Sequence, residues 1–212
     1  MTETIHQAQP VETAGAPLDS ADAAVLMLHG RGATPGSVLA LAREFDAPGV
    51  AYLAPAAANR TWYPDPFTAP IESNQPHLDS ALATVEKRLT EIEDAGIPTE
   101  WTVLLGFSQG ACLAAEFAAR NPRRYGGVVA LSGGLIGPEV SADEYAGTLD
   151  GTPAFVGCSD ADPHVPLERV DATGDVLEEL GADVTERIYP GMDHTINAEE
   201  VEFVGKMIDD LA

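Results

Sequence analysis

The fold is decided by the stretch WTVLLGFSQGACLAA, Trp101–Ala115. An apolar run is followed by Gly-Phe-Ser-Gln-Gly at positions 106–110, and then by the small and apolar residues typical of a helix start. This strand–turn–helix order places Ser108 on a tight turn, where its hydroxyl projects above a sheet and the flanking glycines let the backbone pass. Ser108 is therefore a candidate nucleophile at the end of a central strand.

Short apolar runs on either side of this stretch extend the sheet. Such runs, bounded by Gly, Pro or Ser, are typical of strands buried on both faces of a parallel sheet; they cover residues 23–28, 50–53, 101–105, 128–131, 154–156 and 184–189. Apolar residues at helical spacing lie between them, in residues 78–92, 112–120, 167–180 and 201–211. Strands that alternate with helices predict an α/β fold with a mainly parallel sheet.

The chain organisation predicts one main domain. Residues 1–22 are interpreted as an N-terminal arm or edge hairpin, flexible in part, and residues 23–212 as a single domain. The Pro-rich segment Asn59–Gln75 is expected to be a long structured loop at the border of the site. Trp101 is expected to pack at the start of its strand, and Phe107 beneath the sheet.

The composition excludes several classes of partner. The 212 residues carry 34 acids and 11 bases, a net charge of −23, which repels nucleic acids and anionic lipid surfaces. No apolar run approaches the roughly 20 residues of a membrane span, and no signal peptide is expected from the first ten residues. The two cysteines, Cys112 and Cys158, have no metal or redox spacing, and the sequence predicts a reduced, cytoplasmic protein.

The acidic surplus also suggests the environment. Lysine occurs only at Lys87 and Lys206, and an acidic, lysine-poor surface is typical of proteins from salt-adapted cells, where salt screens the repulsion. We therefore predict a halophilic protein; the alternative is an ordinary acidic protein from a mesophile.

A serine nucleophile needs a base and a group that orients the base. In an α/β hydrolase the chain order is serine, acid, histidine, and only His164 and His194 follow Ser108. His194 lies between the last strand and the last helix, where the base is expected. His164 lies in the preceding loop, where the acid is expected instead. Asp162 is favoured as the acid because Pro163 holds it extended, and Asp160 is the alternative.

The segment His29-Gly30-Arg31-Gly32 follows the first buried strand. Acyl transfer requires two backbone N–H groups aimed at the developing oxyanion, one from the residue after the nucleophile and one from this early loop. Gln109 and Arg31 are the predicted donors, and His29 is expected to hold the loop by hydrogen bonding. The sequence has neither a metal-ligand spacing nor a phosphate-binding loop, so no metal and no cofactor are predicted.

Together these motifs resemble the phospholipase/carboxylesterase family of α/β hydrolases, which includes acyl-protein thioesterases and small carboxylesterases. The resemblance covers about residues 23–210, in the segments 28–32, 62–63, 106–111, 131–134, 162–166 and 191–194. It implies an α/β-hydrolase fold with a minimal cap domain or none. It also implies Ser108 as nucleophile, Asp162 as acid and His194 as base, with Trp62 and Tyr63 in the substrate-side wall. With His29 and Gly30, Trp62 and Tyr63 are the predicted substrate-binding residues.

Arg31 departs from the family pattern, because many thioesterase relatives carry an apolar residue there. A cationic side chain suggests short acyl esters or a substrate with an anionic group; alternatively, Arg31 points to solvent or pairs with a surface acid. The expected function is hydrolysis of small carboxylic esters by a monomer or homodimer. The alternatives are an acyl-thioesterase or lysophospholipase, a C–C bond hydrolase, or a non-catalytic binding protein.

Overall fold

The computed structural model describes residues 4–45 and 47–211. In this part of the chain seven strands form one sheet in the order β1-β3-β2-β4-β5-β6-β7. The strands are β1 Val11–Gly15, β2 Ala23–Leu28, β3 Val50–Pro55, β4 Thr102–Phe107, β5 Gly127–Leu131, β6 Pro153–Ser159 and β7 Asp183–Tyr189. Only the edge strand β1 is antiparallel to its neighbour; the other pairs are parallel.

Helices cover both faces of the sheet. They are α1 Pro35–Leu39, α2 His77–Asp94, α3 Gln109–Arg120, α4 Leu167–Glu179 and α5 Ala198–Asp209. Alternate residues of β2 pack into two separate clusters, since strand side chains point to opposite faces. One cluster contains side chains of α2, α3 and α4, and the other contains side chains of α1 and α5.

The register of the two central strands brings two candidate site segments together. In the parallel pair β2 and β4, Leu28 lies opposite Gly106. His29, the first residue after β2, and Phe107, the last residue of β4, therefore lie side by side at the carboxyl edge of the sheet. This is the edge where open α/β sheets bind their ligands.

The α/β-hydrolase prediction is confirmed. The segment 132–152 between β5 and β6, all of which the structure describes, contains one 3₁₀ turn at Ala142–Glu144 and no helical cap. The predicted strands are all present, with each end within three residues of its predicted position. Within the described residues, no helix is both long and apolar enough to cross a membrane.

Three details differ from expectation. Trp101 does not start the strand: it ends a 3₁₀ turn, Thr99–Trp101, and its side chain is 42% exposed. The short helix α1 was not predicted, because its five residues are too few for a periodic pattern. The third difference concerns Phe107, which lies at the site and is described below.

The N-terminal residues are part of the same sheet. β1 pairs with β3 along its whole length, from Val11 opposite Pro55 to Gly15 opposite Ala51. Residues 1–3, a part of the predicted N-terminal arm, lie outside the described residues.

Candidate active site

Ser108 sits on a strained turn between β4 and α3. Its backbone has φ 55° and ψ −121°, a region that non-glycine residues rarely adopt. The two glycines are required by close backbone approach: a Cβ on Gly106 would collide with the carbonyl of Gly110, and a Cβ on Gly110 with the carbonyl of Leu28. The tight turn around Ser108 therefore requires glycine at positions 106 and 110.

A chain of hydrogen bonds connects Ser108 to a histidine and an aspartate. His194 Nε2 lies 2.9 Å from Ser108 Oγ, and His194 Nδ1 lies 2.7 Å from Asp162 Oδ2. Because a carboxylate can only accept, Nδ1 carries the proton and Nε2 is free to accept the proton of the hydroxyl. Both distances lie in the range expected of a nucleophile, its base and an orienting acid.

The carboxylate of Asp162 is held by four donors. Besides the His194 ring, Oδ1 accepts the backbone N–H groups of His164 at 2.8 Å and Val165 at 3.1 Å. The Cys158 thiol donates to Oδ2 over 3.8 Å. Burial opposes ionisation, but the His194 and backbone hydrogen bonds outweigh it and lower the pKa of Asp162 below its usual value. Burial and the neighbouring Asp162 raise the pKa of Cys158 to about 12, so the sulfur remains a protonated donor.

Asp160 and His164, the alternative acid and the other histidine after Ser108, lie outside the hydrogen-bonded chain. Asp160 accepts the backbone N–H of Gly191 at 2.7 Å, so it ties the acid-bearing loop to the histidine-bearing loop without contacting His194. The exposed ring of His164 stands edge-on to His194, with centroids 4.9 Å apart. Phe107 packs against the core cluster on the α1 and α5 face, as predicted, but its half-buried ring also lies 5.0 Å from that of His194 and lines the cavity described below.

His29 holds the early loop from behind. Its Nδ1 donates to the Gly30 carbonyl at 2.8 Å, and its Nε2 accepts the Ala57 N–H at 3.1 Å. Burial lowers its pKa, partly offset by the Gly30 hydrogen bond, so the ring is neutral. Its side chain is 1% exposed, and the prediction that His29 contacts substrate is wrong.

Gln109 and Arg31 fasten the substrate-side loop with their side chains. The Gln109 amide accepts the Trp62 N–H at 2.9 Å and donates to the Tyr63 carbonyl at 2.8 Å. The Arg31 guanidinium donates to three successive carbonyls, of Tyr63, Pro64 and Asp65, at 2.9, 2.7 and 3.0 Å. Of the two alternatives for Arg31, the ion pair with a surface acid is not formed among the described residues, because the guanidinium binds these carbonyls instead; the residue itself is exposed.

Unlike their side chains, the backbone N–H groups of Arg31 and Gln109 have no hydrogen-bond partner in the described part of the chain. Among the described residues, neither the Arg31 N–H nor the Gln109 N–H donates a hydrogen bond. Gln109 is the first residue of α3, where an N–H has no partner within its own helix. Both groups are available to an external acceptor.

An open cavity of about 660 Å³ lies over Ser108 and His194. Its wall is largely apolar, built by Tyr63, Pro64, Pro66, Phe67, Phe107, Val165 and Pro166. Gly30 and Tyr63 line it as expected, whereas Trp62 is fully buried and does not. The family resemblance places both Trp62 and Tyr63 in the substrate-side wall, and the structure places only Tyr63 there. The sequence reasoning missed Val165 and Pro166, which lie three and four residues after the acid.

In residues 4–45 and 47–211, no group of three or more His, Cys, Asp or Glu side chains is arranged to hold a metal ion.

The mostly parallel sheet and the serine elbow between β4 and α3 define an α/β hydrolase. Within that class, the chain belongs to the phospholipase/carboxylesterase family, whose pattern it matches over residues 11–212. The resemblance inferred from the sequence motifs is thereby confirmed.

Individual relatives agree with this assignment. A crystal structure of a phospholipase/carboxylesterase from Dyadobacter fermentans is 43% identical, covers 98% of this chain and 99% of its own, and superposes with a TM-score of 0.92. Acyl-protein thioesterase 1 of Saccharomyces cerevisiae is 31% identical over 150 residues, 68% of this chain and 63% of its own. The carboxylesterase of Bacillus cereus, 19% identical, covers 97% of this chain and 95% of its own; its TM-score of 0.75 shows the shared fold.

The curated relatives are matched over part of their length. The match covers 63% of the yeast protein and 48% of acyl-protein thioesterase 1 of Gibberella zeae, so the chain spans about half to two thirds of these relatives.

Proposed function

We propose that this protein is a serine carboxylesterase that hydrolyses small carboxylic esters through an acyl-enzyme on Ser108. The observation that carries the proposal is the hydrogen-bonded chain Ser108–His194–Asp162, with distances of 2.9 and 2.7 Å, under an open and largely apolar cavity. Serine hydroxyls are weak nucleophiles at neutral pH and need such a base.

In the first half-reaction His194 Nε2 takes the proton of Ser108 as Oγ attacks the ester carbonyl carbon. The tetrahedral intermediate collapses when the C–O bond to the alcohol breaks, and His194 returns its proton to the departing oxygen. Water then loses a proton to His194 and attacks the acyl-enzyme, releasing the acid and restoring Ser108. Asp162 holds the tautomer and stabilises the imidazolium without taking the proton.

The negative charge of each tetrahedral intermediate falls on the former carbonyl oxygen. We assign the two free backbone N–H groups of Arg31 and Gln109 to this oxygen, because both donors are unpaired and lie on the segments beside the nucleophile. Loss of one donor of this kind typically lowers kcat by about 10²–10³.

The apolar wall and the volume of the cavity support short to medium acyl chains. The positive charge of Arg31 remains at the cavity wall, and it favours substrates with an anionic group near the ester. A second candidate is an acyl-thioesterase, because relatives matched over much of the chain are named acyl-protein thioesterase 1. A series of aryl esters and acyl-thioesters of increasing chain length separates the two, and a preference for long thioesters would replace the first proposal with the second.

A fluorophosphonate probe tests the nucleophile. The parent protein is expected to be labelled covalently, and Ser108→Ala is expected not to be. Ser132→Ala is the matched control: Ser132 also follows a central strand and also has a positive φ, of 52°, but it is not hydrogen-bonded to His194. Equal labelling of the parent and Ser108→Ala would refute the assignment, and no labelling of any form would favour the non-catalytic alternative.

We further propose a cytoplasmic, salt-adapted setting for a monomer or homodimer. Two observations support the salt adaptation. The net charge is −23, and among the described acids Glu116, Glu200 and the side chain of Asp162 are buried, so most of the surplus negative charge lies at the surface. Two free, buried cysteines agree with a reducing compartment.

A further inference from the structure

The segment before β1 inserts a histidine behind the substrate-side loop. The backbone N–H groups of Ile5 and His6 both donate to Ser80 Oγ in α2, at 2.9 and 3.1 Å. The side chain of Gln7 adds a hydrogen bond to the Ser80 carbonyl at 3.2 Å. These contacts anchor the segment, and the His6 side chain is 1% exposed.

Both ring nitrogens of His6 bind the backbone of the loop. Nδ1 accepts the Ala58 N–H at 3.0 Å, and Nε2 lies 3.0 Å from the Trp62 carbonyl oxygen. Since one partner is a donor and the other an acceptor, the ring must be neutral with its proton on Nε2. Protonation of Nδ1 would set two N–H groups against each other and break the contact with Ala58.

Trp62 connects His6 to both proposed oxyanion donors. Its indole Nε1–H donates to the His29 carbonyl at 2.9 Å, two residues before Arg31. Its backbone N–H donates to the side chain of Gln109 at 2.9 Å. A shift of Trp62 would therefore disturb the segments that carry both N–H groups.

His29 makes the same kind of contact as His6, with the backbone N–H of the residue before Ala58. Its Nε2 accepts the Ala57 N–H, and its Nδ1 donates to the Gly30 carbonyl. Two adjacent backbone donors, Ala57 and Ala58, are thus accepted by two neutral histidines. Both histidine rings also pack on Trp62, with centroids 5.5 Å away for His6 and 5.1 Å away for His29.

We infer that His6 is a positioning residue for the oxyanion hole, which it holds in place through Trp62 as long as its imidazole is neutral. The inference rests on the proposed function, because the oxyanion hole is part of that proposal. His6 touches neither the cavity nor Ser108, so its effect on the rate is indirect. It also makes the site sensitive to acid independently of His194.

The surroundings of His6 resist protonation. Burial lowers its pKa below 6.5, and the neighbouring His77 and His29 lower it further, against hydrogen bonds to the backbone that raise it. His77 begins α2 and His29 follows β2. Lys87 of α2 donates to the carbonyl of Gln7, the next residue, at 3.4 Å. Lys87 therefore adds a positive charge to the surroundings of this segment.

Three substitutions separate the two contacts. His6→Asn retains an acceptor close to the position of Nδ1, His6→Gln extends a donor towards the Trp62 carbonyl, and His6→Phe removes both. We expect kcat at pH 8 to fall by about 10–10² for His6→Phe, since small displacements of catalytic groups cost this much. The two amides should fall less, with KM nearly unchanged in all three. His77→Asn, at the neighbouring histidine, is the control and should retain the parent kcat at pH 8.

The fluorescence of Trp62 tests the contact without any substrate. Trp62 and Trp101 are the two tryptophans of the chain, so Trp101→Phe leaves Trp62 as the single indole. Protonated imidazole quenches a neighbouring indole, and emission should fall with a midpoint below pH 6.5. In the same background His6→Asn should remove or reduce this step, and His77→Asn should retain it.

The outcomes are distinct. An unchanged emission titration in His6→Asn would overturn the inference even if His6→Phe fails to fold, as would a folded His6→Phe with a kcat within twofold of the parent. Failure of the proposed function appears elsewhere, as probe labelling of Ser108→Ala, while the fluorescence result still reports on the contact itself.

Discussion

Replacement of Glu200 by glutamine is expected to stabilise the protein at pH 8. The Glu200 side chain is fully buried at the third residue of α5. Its Oε2 accepts the Asn197 N–H at 2.8 Å, whereas Oε1 has no hydrogen-bond partner among the described residues. Burial raises the pKa of Glu200 to about 7, partly offset by the Asn197 hydrogen bond and reinforced by the charge of Glu199.

The sign and size of the effect follow from this pKa. Between the unfolded value near 4.5 and the folded value of about 7, the folded state binds more protons than the unfolded state, so stability falls as pH rises. Above pH 7 the penalty is complete, at about 3 kcal/mol, because each pKa unit corresponds to about 1.4 kcal/mol. Glutamine retains an acceptor for the Asn197 N–H and has no charge to bury.

Urea unfolding of the parent and Glu200→Gln at pH 5 and pH 8 measures the difference. The gain should be about 3 kcal/mol at pH 8 and about 1 kcal/mol at pH 5, where most of the carboxyl is protonated in the folded state. Glu202→Gln is the control, because Glu202 is on the same helix and is exposed beside Lys206; it should leave this slope unchanged. Parallel pH dependences for the parent and Glu200→Gln would refute the claim that this carboxyl ionises at a cost.

Three further changes test the site and the surface. Gly110→Ala should destabilise the fold by several kcal/mol or prevent folding, because the new Cβ meets the Leu28 carbonyl oxygen; normal urea unfolding would contradict the steric account. Arg31→Gln should lower kcat/KM about tenfold, because three hydrogen bonds that fix the loop are lost. Arg31→Lys should not restore kcat/KM, since an ammonium lacks the planar array of N–H donors of a guanidinium. Full activity of the lysine variant in ester hydrolysis would argue against this role. Stability and activity in molar potassium chloride should equal or exceed those in dilute buffer, since salt screens the surface repulsion, and a loss of activity there would exclude the halophilic interpretation alone.

The parts of the molecule that the sequence predicted are those set by local pattern. Buried parallel strands show continuous apolar runs, and the elbow around Ser108 is encoded by two glycines whose positions the backbone dictates. The placement of His194 and Asp162 follows from the chain order of the fold, which puts the ends of parallel strands at one edge. That order predicts that the two side chains lie close together, whereas the distance of 2.7 Å between His194 Nδ1 and Asp162 Oδ2 is known only from the structure.

The parts that the sequence did not predict depend on backbone partners far along the chain. His6 and Trp62 are separated by 56 positions, and nothing in an isolated histidine near the N-terminus indicates that a carbonyl and an N–H group will meet its ring. The same holds for Trp62, which was predicted to face substrate with its neighbour. In an irregular loop consecutive side chains can take unrelated directions, so the position of Tyr63 in the cavity wall does not determine the direction of Trp62.

Arg31 shows why side-chain chemistry alone misleads here. In a chain with 34 acids, a cation near the surface is expected to find a carboxylate. The loop at residues 63–65, however, presents three carbonyl oxygens within reach of one guanidinium, and a planar fork with five N–H donors can satisfy all of them at once. Three charge-assisted hydrogen bonds in a fixed fork hold the guanidinium in one geometry, whereas a single surface ion pair contributes little. Arg31 therefore fastens the substrate-side loop from the same residue whose free backbone N–H we assign to the oxyanion. On that proposal, the shape of the cavity wall and the position of the donor are coupled.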